Sequence, residues 1–251
     1  TLVFLSGSGT SSPILDFKSL YSKLVKDYRV VVVEKFGYGF SDDWAKDRDL
    51  DTILSQTRKA LQKADVKGPY VLLPHSMSGL EAMHWSASYP KEVEAIIGLD
   101  MSLSQAYDKY RSNRLLYKTL QLAANLGLSR WLYSPDKEIR SLSNGSLNPK
   151  EKSIYKALFY RRPLSNAIIK EAEEVKKNAK LVKQDKVPAI PYLLFVSNGQ
   201  GTGFARKAWQ DMSKDFAKDH KNVQLKSFDV PHYIHSYIPD ELAKEIRKFL
   251  K

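Results

Sequence analysis

The alternation of short apolar runs with helical patterns places the strongest constraint on the fold of this chain. Apolar runs with little period-two alternation lie at residues 2–5, 29–33, 70–73, 95–99, 190–196 and 223–228. Such runs are typical of strands in a parallel sheet that is covered on both faces. Helical patterns separate them, beginning at Ser12-Pro13, within residues 50–64, after Ser76, after Thr202 and at Pro239. We therefore predict an α/β fold built from right-handed βαβ units.

Ligands of such sheets bind at the carboxyl ends of the strands. Five polar residues closely follow predicted strands and are expected at that edge: Ser8, Ser76, Asp100, Asn198 and His232. The functional site is therefore predicted among these residues.

A sharp turn between strand and helix singles out Ser76. The run at 70–73 leads within a few residues into a helical pattern that includes Leu80, so the turn residue is strained and its side chain is presented to solvent. The positions two before and two after such a nucleophile are usually glycine, and here they are Pro74 and Ser78. If Ser78 were the nucleophile, Leu80 would fill the crowded position, so Ser76 is the better candidate. The alternative is that Ser76 only caps the helix.

Three further segments, together with this turn, resemble motifs of the α/β-hydrolase superfamily. Residues 2–9 (LVFLSGSG) resemble the strand that the family follows with His-Gly-x-x, with Ser6 where the histidine usually lies. Residues 34–42 (EKFGYGFSD) resemble its Asp-x-x-Gly-x-Gly-x-Ser loop, and residues 231–240 (PHYIHSYIPD) resemble its histidine loop. Because the four motifs follow the family's order, the chain is identified as a serine-nucleophile, cap-bearing member. The resemblance implies a mostly parallel sheet with helices on both faces and an inserted all-helical cap.

The domain organisation follows from where the alternation stops. Residues 103–188 show helical patterns only and are predicted to form the cap, whereas residues 1–102 and 189–251 are predicted to form the core. A capping-box pattern, Asn148-Pro149 with Glu151, marks one helix start in the cap. Since the family usually has two strands before the first one seen here, we expect that an upstream segment is missing.

A serine nucleophile needs a base, and the base needs an acid to orient it. The resemblance assigns the base to His232, and His235 is expected to support the pocket. The loop at 197–203, where most of the family carries its acid, contains no carboxylate. Some hydrolases with helical caps carry it where Asp100 stands, so Asp100 is the predicted acid and Asp229 the competing one. The alternative for Asp100 is that it braces the start of the insert.

Charge that develops on a substrate oxygen needs preorganised donors. The backbone N–H of Met77 starts a helix and is one candidate; the resemblance implies that the N–H of Ser8 is the other. Gly7 and Gly9 allow close approach to the reacting carbonyl and are substrate-binding candidates, as are His75 and His235.

No cofactor is predicted for this chain. The glycine-rich segment at 6–10 lacks both the lysine of a P-loop and the dinucleotide pattern Gly-x-Gly-x-x-Gly, so nucleotide binding is not expected. The chain has no cysteine, and its histidines and carboxylates show no metal-ligand spacing, so no metal site is expected.

Positive charge is concentrated in the predicted cap. Residues 103–188 hold 18 Lys or Arg against 8 Asp or Glu, while the rest of the chain holds 22 against 20. A basic field over the site would steer an anionic acyl substrate, with Arg161 and Arg162 contributing, or would dock the protein on an anionic surface. The alternative is a solvated helix face, as the spacing of Lys176, Lys180 and Lys183 allows. No nucleic-acid-binding module is recognisable.

Ester hydrolysis through an acyl-enzyme is the predicted activity, with Ser76, His232 and Asp100 as the triad. Amide, lactone and carbon–carbon bond hydrolysis and acyl transfer share this machinery and stay open. Epoxide hydrolases and haloalkane dehalogenases of the family use an aspartate at the turn, so a serine argues against both. A non-catalytic binding or receptor protein on the same fold is the alternative of a different class.

Two compartments stay open for this chain. No stretch approaches the roughly 20 apolar residues of a membrane span, and the start is not that of a signal peptide. The compartment is therefore expected to be the cytoplasm, or an extracytoplasmic one if a missing upstream segment carries a signal or anchor. The absence of cysteine does not decide between them.

Overall fold

Six strands form one parallel sheet in the computed structural model, which describes residues 1–44, 47–128, 130, 133–161 and 164–251. The strands are β1 (Leu2–Leu5), β2 (Val30–Val33), β3 (Tyr70–Ser76), β4 (Val93–Met101), β5 (Tyr192–Val196) and β6 (Val223–Ser227). Their order in the sheet is β2-β1-β3-β4-β5-β6, and every neighbouring pair is parallel. The predicted α/β fold is therefore confirmed. The central strands β3 and β4 extend beyond the apolar runs because their pairing continues to Ser76 and Met101.

Helices cover both faces of the sheet. They are α1 (Pro13–Asp16), α2 (Lys18–Leu24), α3 (Leu50–Lys63), α4 (Ser78–Ser88), α5 (Arg114–Asn125), α6 (Pro135–Glu138), α7 (Arg140–Ser143), α8 (Pro149–Arg161), α9 (Asn166–Gln184), α10 (Arg206–Asp219), α11 (Ile234–Tyr237) and α12 (Pro239–Phe249), with a short 3₁₀ helix at Ser104–Tyr107. None of these helices combines the length and the hydrophobicity that a bilayer span requires.

The lack of alternation in the strands reflects burial on both sides of the sheet. In β1, Val3 and Leu5 join the apolar cluster that contains side chains of α3, α4, α9 and α10. The intervening Leu2 and Phe4 join the cluster that contains side chains of α2 and α12. Each residue of β1 is therefore buried on one face of the sheet or the other, which leaves no position in this strand for a polar side chain.

The described residues between 103 and 188 form helices and no strand. The start of α8 shows the predicted capping box, since the Glu151 N–H donates to Oδ1 of Asn148 and the Asn148 N–H donates to Oε2 of Glu151, each at 2.9 Å. Lys176, Lys180 and Lys183 are exposed on α9, as expected of a solvated helix face.

A buried ionic cluster joins α9 to the core. The carboxylate of Glu171 lies 2.9 Å from the Lys35 ammonium and 2.8 Å from the Arg48 guanidinium, and it accepts a hydrogen bond from the Tyr38 hydroxyl at 3.1 Å. Burial raises the pKa of Glu171, but Lys35 and Arg48 outweigh it and lower the pKa to about 2. The helical segment is thus fixed to the loop after β2 and to the residues before α3 by charges that water does not reach.

Candidate active site

Ser76 occupies the strained turn that the sequence predicts. It ends β3 with φ at +54°, a left-handed conformation that is uncommon for residues other than glycine. A helix N-cap residue normally has an extended backbone, so the left-handed conformation of Ser76 does not fit the alternative in which it only caps α4. Gly7 lies against the turn, because a Cβ atom placed there would come within 2.6 Å of the Ser76 Cβ. The end of β1 therefore approaches Ser76 as closely as a backbone without a side chain permits.

Ser78, which replaces the second glycine of the usual pattern, takes part in the construction of the turn. Its hydroxyl lies 2.7 Å from the carbonyl oxygen of Leu5 and 2.9 Å from that of His75, and it accepts the His75 N–H at 3.0 Å. The close approach to the neighbouring strand falls on Gly79 instead, where a Cβ atom would lie 2.3 Å from the Ser102 carbonyl oxygen. The position that must be glycine is thus 79 rather than 78. The family's sequence pattern alone does not reveal this shift.

Asp100 and His232 are in contact. Asp100 is buried at the carboxyl end of β4, and its Oδ2 lies 2.5 Å from Nδ1 of His232. Oδ1 accepts hydrogen bonds from the Ser197 N–H at 2.7 Å and from the Trp209 indole N–H at 2.8 Å. The competing residue Asp229 is largely exposed and pairs with Arg206 at 3.0 Å. The structure therefore places Asp100, and not Asp229, against the histidine.

Ser76 and His232 line one cleft of about 850 Å³, and Ser8 lies on the same wall. The wall is completed by residues of the 3₁₀ helix and by the loop after β5, including Gln105 and Thr202. Because Nδ1 of His232 faces Asp100, Nε2 is the ring nitrogen that is left for chemistry in the cleft. The cleft thus brings Ser76, His232 and Ser8 to one cavity, with the Asp100 carboxylate buried behind the imidazole.

Two further histidines lie behind His232 rather than in the cleft. His75 and His235 are 2% and 1% exposed, and neither lines the described clefts around His232. The ring of His75 lies 4.6 Å from that of His232 and 4.9 Å from that of His235. Burial, together with the nearby His232, lowers the pKa of His235 to about 3 and that of His75 well below its usual range. The structure thus places His75 and His235 behind His232, away from the walls of the two clefts, although the sequence analysis listed both as substrate-binding candidates.

A second cleft, of about 480 Å³, meets the first at His232 and Tyr233. Its buried wall includes Asp16, a residue that the sequence analysis did not single out. Burial raises the pKa of Asp16 to about 6, although hydrogen bonds from Ser141 and Tyr155 oppose the shift. The only signal in the sequence is a carboxylate among apolar neighbours at residues 13–17.

The remaining predicted substrate-binding residues do not line the cleft that contains Ser76 and His232. Gly9 lines the second cleft, whereas Arg161 is exposed at the end of α8 and lines neither cleft. Arg162 falls outside the described residues. Two other cations, Lys137 and Arg140, line the second cleft instead. Across the described part of the chain, no three histidines or carboxylates are grouped as they would be around a metal ion.

Comparison with known proteins agrees with this architecture. A family model described as alpha/beta hydrolase fold matches residues 1–226. The uncharacterized protein YbdG of Bacillus subtilis (strain 168) is 34% identical over 258 residues, which cover 100% of this chain and 79% of YbdG.

Two solved structures are similar over nearly the whole chain. Wild-type Cfl2 from Burkholderia cenocepacia has a TM-score of 0.75 at 16% identity, covering 100% of this chain and 87% of that chain. The haloalkane dehalogenase DbeA from Bradyrhizobium elkani USDA94 has a TM-score of 0.67 at 15% identity, covering 98% of this chain and 88% of that chain. At such identities the likeness concerns the fold alone.

Proposed function

The chain belongs to the α/β-hydrolase fold family, and on that basis we propose that it is a serine hydrolase that cleaves carboxylic esters through an acyl-enzyme. The family and the fold support a hydrolase in general. The observation that carries the finer proposal is the 2.5 Å contact between Asp100 and His232 beside a cleft that His232 shares with the strained Ser76. A serine hydroxyl becomes a nucleophile when an oriented imidazole takes its proton.

In the proposed reaction, Nε2 of His232 removes the proton from Oγ of Ser76 as that oxygen attacks the acyl carbonyl. Asp100 holds the imidazole by its Nδ1–H and stabilises the imidazolium that forms. The imidazolium then protonates the leaving alcohol, and the C–O bond to it breaks. Water repeats these steps against the acyl-enzyme, which releases the acid and restores Ser76.

We assign the oxyanion hole to the backbone N–H groups of Ser8 and Met77. Ser8 lines the cleft that contains Ser76, and Met77 directly precedes α4, where the helix dipole favours negative charge. The tight contact between Gly7 and Ser76 keeps the Ser8 backbone beside the nucleophile. Donors fixed in this way stabilise the tetrahedral intermediate without reorganising during the reaction.

Displacement at an alkyl carbon, the reaction named for the dehalogenase, is not proposed for this chain. Attack by Ser76 on an alkyl carbon would give an ether, which has no carbonyl for water to attack. An acyl group on Ser76 keeps such a carbonyl and is released by the same base. The serine at position 76 therefore supports acyl transfer chemistry.

The substrate we propose is a small acyl compound that carries negative charge. The excess of 18 basic over 8 acidic residues in 103–188 supports attraction of anions, and Lys137 and Arg140 lie in the second cleft beside His232. Attraction of this kind increases the rate of encounter and is weakened by salt. Turnover of an anionic ester should therefore fall with salt more steeply than turnover of its neutral analogue.

A fluorophosphonate probe tests the activated serine directly. We expect a covalent adduct on Ser76, found by mass spectrometry, which is lost in Ser76→Ala and strongly slowed in His232→Ala. Ser102→Ala is the matched control, because Ser102 lines the same cleft but does not stand on the turn. A folded protein that stays unlabelled while a reference serine esterase reacts would contradict the proposal and favour a binding or receptor protein.

A further inference from the structure

Helix α5 turns its apolar side outward. Leu122 and Leu126 follow Leu115 by seven and eleven residues, so the three side chains lie on one face. They are 60%, 70% and 80% exposed, respectively. Leu116 and Leu120, spaced by four, are each 48% exposed on the adjacent stripe. Together these five residues form what we call the leucine face. Amphipathic helices of globular proteins normally bury such a face, so its exposure requires an explanation.

The polar side of α5 is the one that contacts the rest of the protein. The Lys118 ammonium donates to Oδ1 of Asn166 at 3.0 Å, and the Gln121 amide donates to the carbonyl oxygen of Leu164 at 2.6 Å. Arg114, on the same stripe, forms an ion pair with Glu173 of α9 at 3.2 Å. Hydrogen bonds and an ion pair therefore fix the orientation of the helix and keep the leucine face directed at solvent.

Exposed cations flank helix α5 in the chain on both sides. Lys109 and Arg111 lie just before α5, and Arg130 lies just after it, all three exposed. In the part of the chain that the structure describes, no carboxylate forms an ion pair with any of these three or with Lys118. The surface thus combines exposed leucines with unneutralised cations, which is the composition of helices that lie in the interface of an anionic bilayer.

We propose that the leucine face is a docking surface for a membrane that contains anionic lipid. A lipid surface accepts both parts of this pattern, since the leucines enter the boundary of the acyl chains while the cations meet the headgroups. A second copy of the chain fits less well. A two-fold contact through this face would bring the cations that flank α5 in one copy, Lys109, Arg111 and Arg130, toward those of the other.

The docking helix is linked to the candidate active site. The Tyr117 hydroxyl of α5 lies 2.7 Å from the Tyr110 hydroxyl, and Tyr110 lines the cleft that contains Ser76. Tyr117, on the side of α5 that faces the protein, thus connects the docking helix to one wall of that cleft. The docking itself does not depend on the proposed hydrolysis, because none of the leucines and none of the flanking cations takes part in the proposed proton transfers, although Lys109 also lines the Ser76 cleft.

Cosedimentation with vesicles tests the proposal on the 251-residue protein. We expect binding to vesicles of phosphatidylcholine with about one third phosphatidylglycerol, weaker binding to pure phosphatidylcholine, and a decrease with salt. Replacing Leu115, Leu122 and Leu126 together by Gln should weaken binding about 100-fold, since each loses part of a leucine's burial. Val25→Gln, directly after α2 at the opposite face of the sheet and also exposed, is the matched control and should bind like the wild type.

The electrostatic part is tested separately. Lys109→Gln with Arg111→Gln should weaken binding about 30-fold, as expected for two charges near an anionic surface. The control pair, Lys244→Gln with Lys248→Gln on α12, should have no such effect. Unchanged melting temperatures would show that the exposed substitutions leave the fold intact.

Three results would overturn the proposal. The first is absence of binding to the anionic vesicles, and the second is equal binding of the leucine variant and the wild type. The third is a concentration-dependent dimer that the leucine substitutions abolish, because it would make a second copy the occupant of the face.

Discussion

Oδ2 of Asp100 lies 2.5 Å from Nδ1 of His232, although 132 positions separate the two residues in the chain. The contact keeps the imidazole proton on Nδ1 and leaves Nε2 free to accept one. The other carboxylate oxygen is held by the Ser197 N–H and the Trp209 indole, so the carboxylate cannot rotate away from the histidine. An imidazole that is oriented in this way is suited to the proton transfers that we propose for His232.

Replacing Asp100 by Asn should lower kcat for an ester substrate by about 10³ to 10⁴, because the amide favours the wrong imidazole tautomer. KM should change little, since Asp100 does not line the cleft. Steady-state kinetics on an ester that the wild type hydrolyses would measure both. Asp229→Asn is the matched control, with activity within a factor of about two to three, because Asp229 is exposed and paired with Arg206. The opposite pattern would assign the acid to Asp229.

Replacing Glu171 by Gln should lower the free energy of unfolding by about 3 to 5 kcal/mol, because Lys35 and Arg48 would be left buried without their common partner. Denaturation in urea would measure the change. Glu174→Gln on the same helix removes a carboxylate paired with Lys170 near the surface and should cost less than about 1 kcal/mol. Equal effects of the two substitutions would contradict a special role for the buried cluster.

The pH dependence of the wild type should also report on Glu171. Its pKa is lowered from 4.5 to about 2 in the folded state, so its stabilising contribution is complete above pH 4.5 and is lost as the pH falls toward 2. Glu171→Gln should lack this part of the acid sensitivity.

Replacing His235 by Leu should stabilise the protein most at acid pH. The folded protein keeps this imidazole neutral down to a pKa of about 3, whereas an unfolded histidine binds a proton near 6.5. Protonation of the unfolded histidine therefore stabilises the unfolded state by about 1.4 kcal/mol for each pH unit below 6.5. The Leu variant has no such group, so its free energy of unfolding does not fall for this reason. Unfolding free energies at pH 5 and pH 8 should show an advantage about 2 kcal/mol larger at pH 5.

His235→Gln separates titration from packing. It also lacks the ionisable ring, so it should share the flatter pH profile. Within the described residues, both ring nitrogens of His235 are buried without a hydrogen-bond partner. Glutamine keeps polar atoms in that site, so at pH 8 it should be less stable than the Leu variant. A wild-type profile that matches both variants between pH 5 and 8 would show that His235 is not held neutral.

Replacing Asp16 by Asn should stabilise the protein most at neutral pH, in contrast to His235→Leu, which should stabilise it most at acid pH. The pKa of Asp16 is raised from 3.8 to about 6, so the folded state holds its proton more tightly than the unfolded state between these values. The stability of the wild type should therefore fall as the pH rises from 4 to 6, by about 3 kcal/mol in total. The free energy of unfolding of Asp16→Asn, measured in urea and compared with that of the wild type, should therefore rise by that amount between pH 4 and pH 7. A constant difference would mean that Asp16 is ionised throughout this range.

The fold was predictable because its signals are local. Apolar runs and helix starts such as Pro13 and Pro239 depend on neighbouring residues, and the turn at Ser76 depends on a short segment. The sequence also placed Ser76, Asp100 and His232 at one edge of the sheet, since the carboxyl ends of parallel strands meet there.

What the sequence did not predict depends on contacts between distant segments. The burial of His75 and His235 behind the base follows from how β3 packs against the loop after β6. The outward orientation of α5 follows from polar contacts with residues about 45 positions further along, such as Asn166. Periodicity alone predicts an amphipathic helix but does not say which side meets the protein.

The position of Asp100 has a consequence for how this protein can diversify. The proposed nucleophile and acid stand on the paired strands β3 and β4. The loop after β5 donates the backbone N–H of Ser197 to Asp100, and its Gln200 carbonyl accepts the backbone N–H of His232. Gln200 lines the second cleft and Thr202 lines the Ser76 cleft, and the proposed proton transfers use neither side chain. Substitutions at these loop positions, natural or engineered, can therefore change substrate preference while the residues of β3 and β4 stay the same.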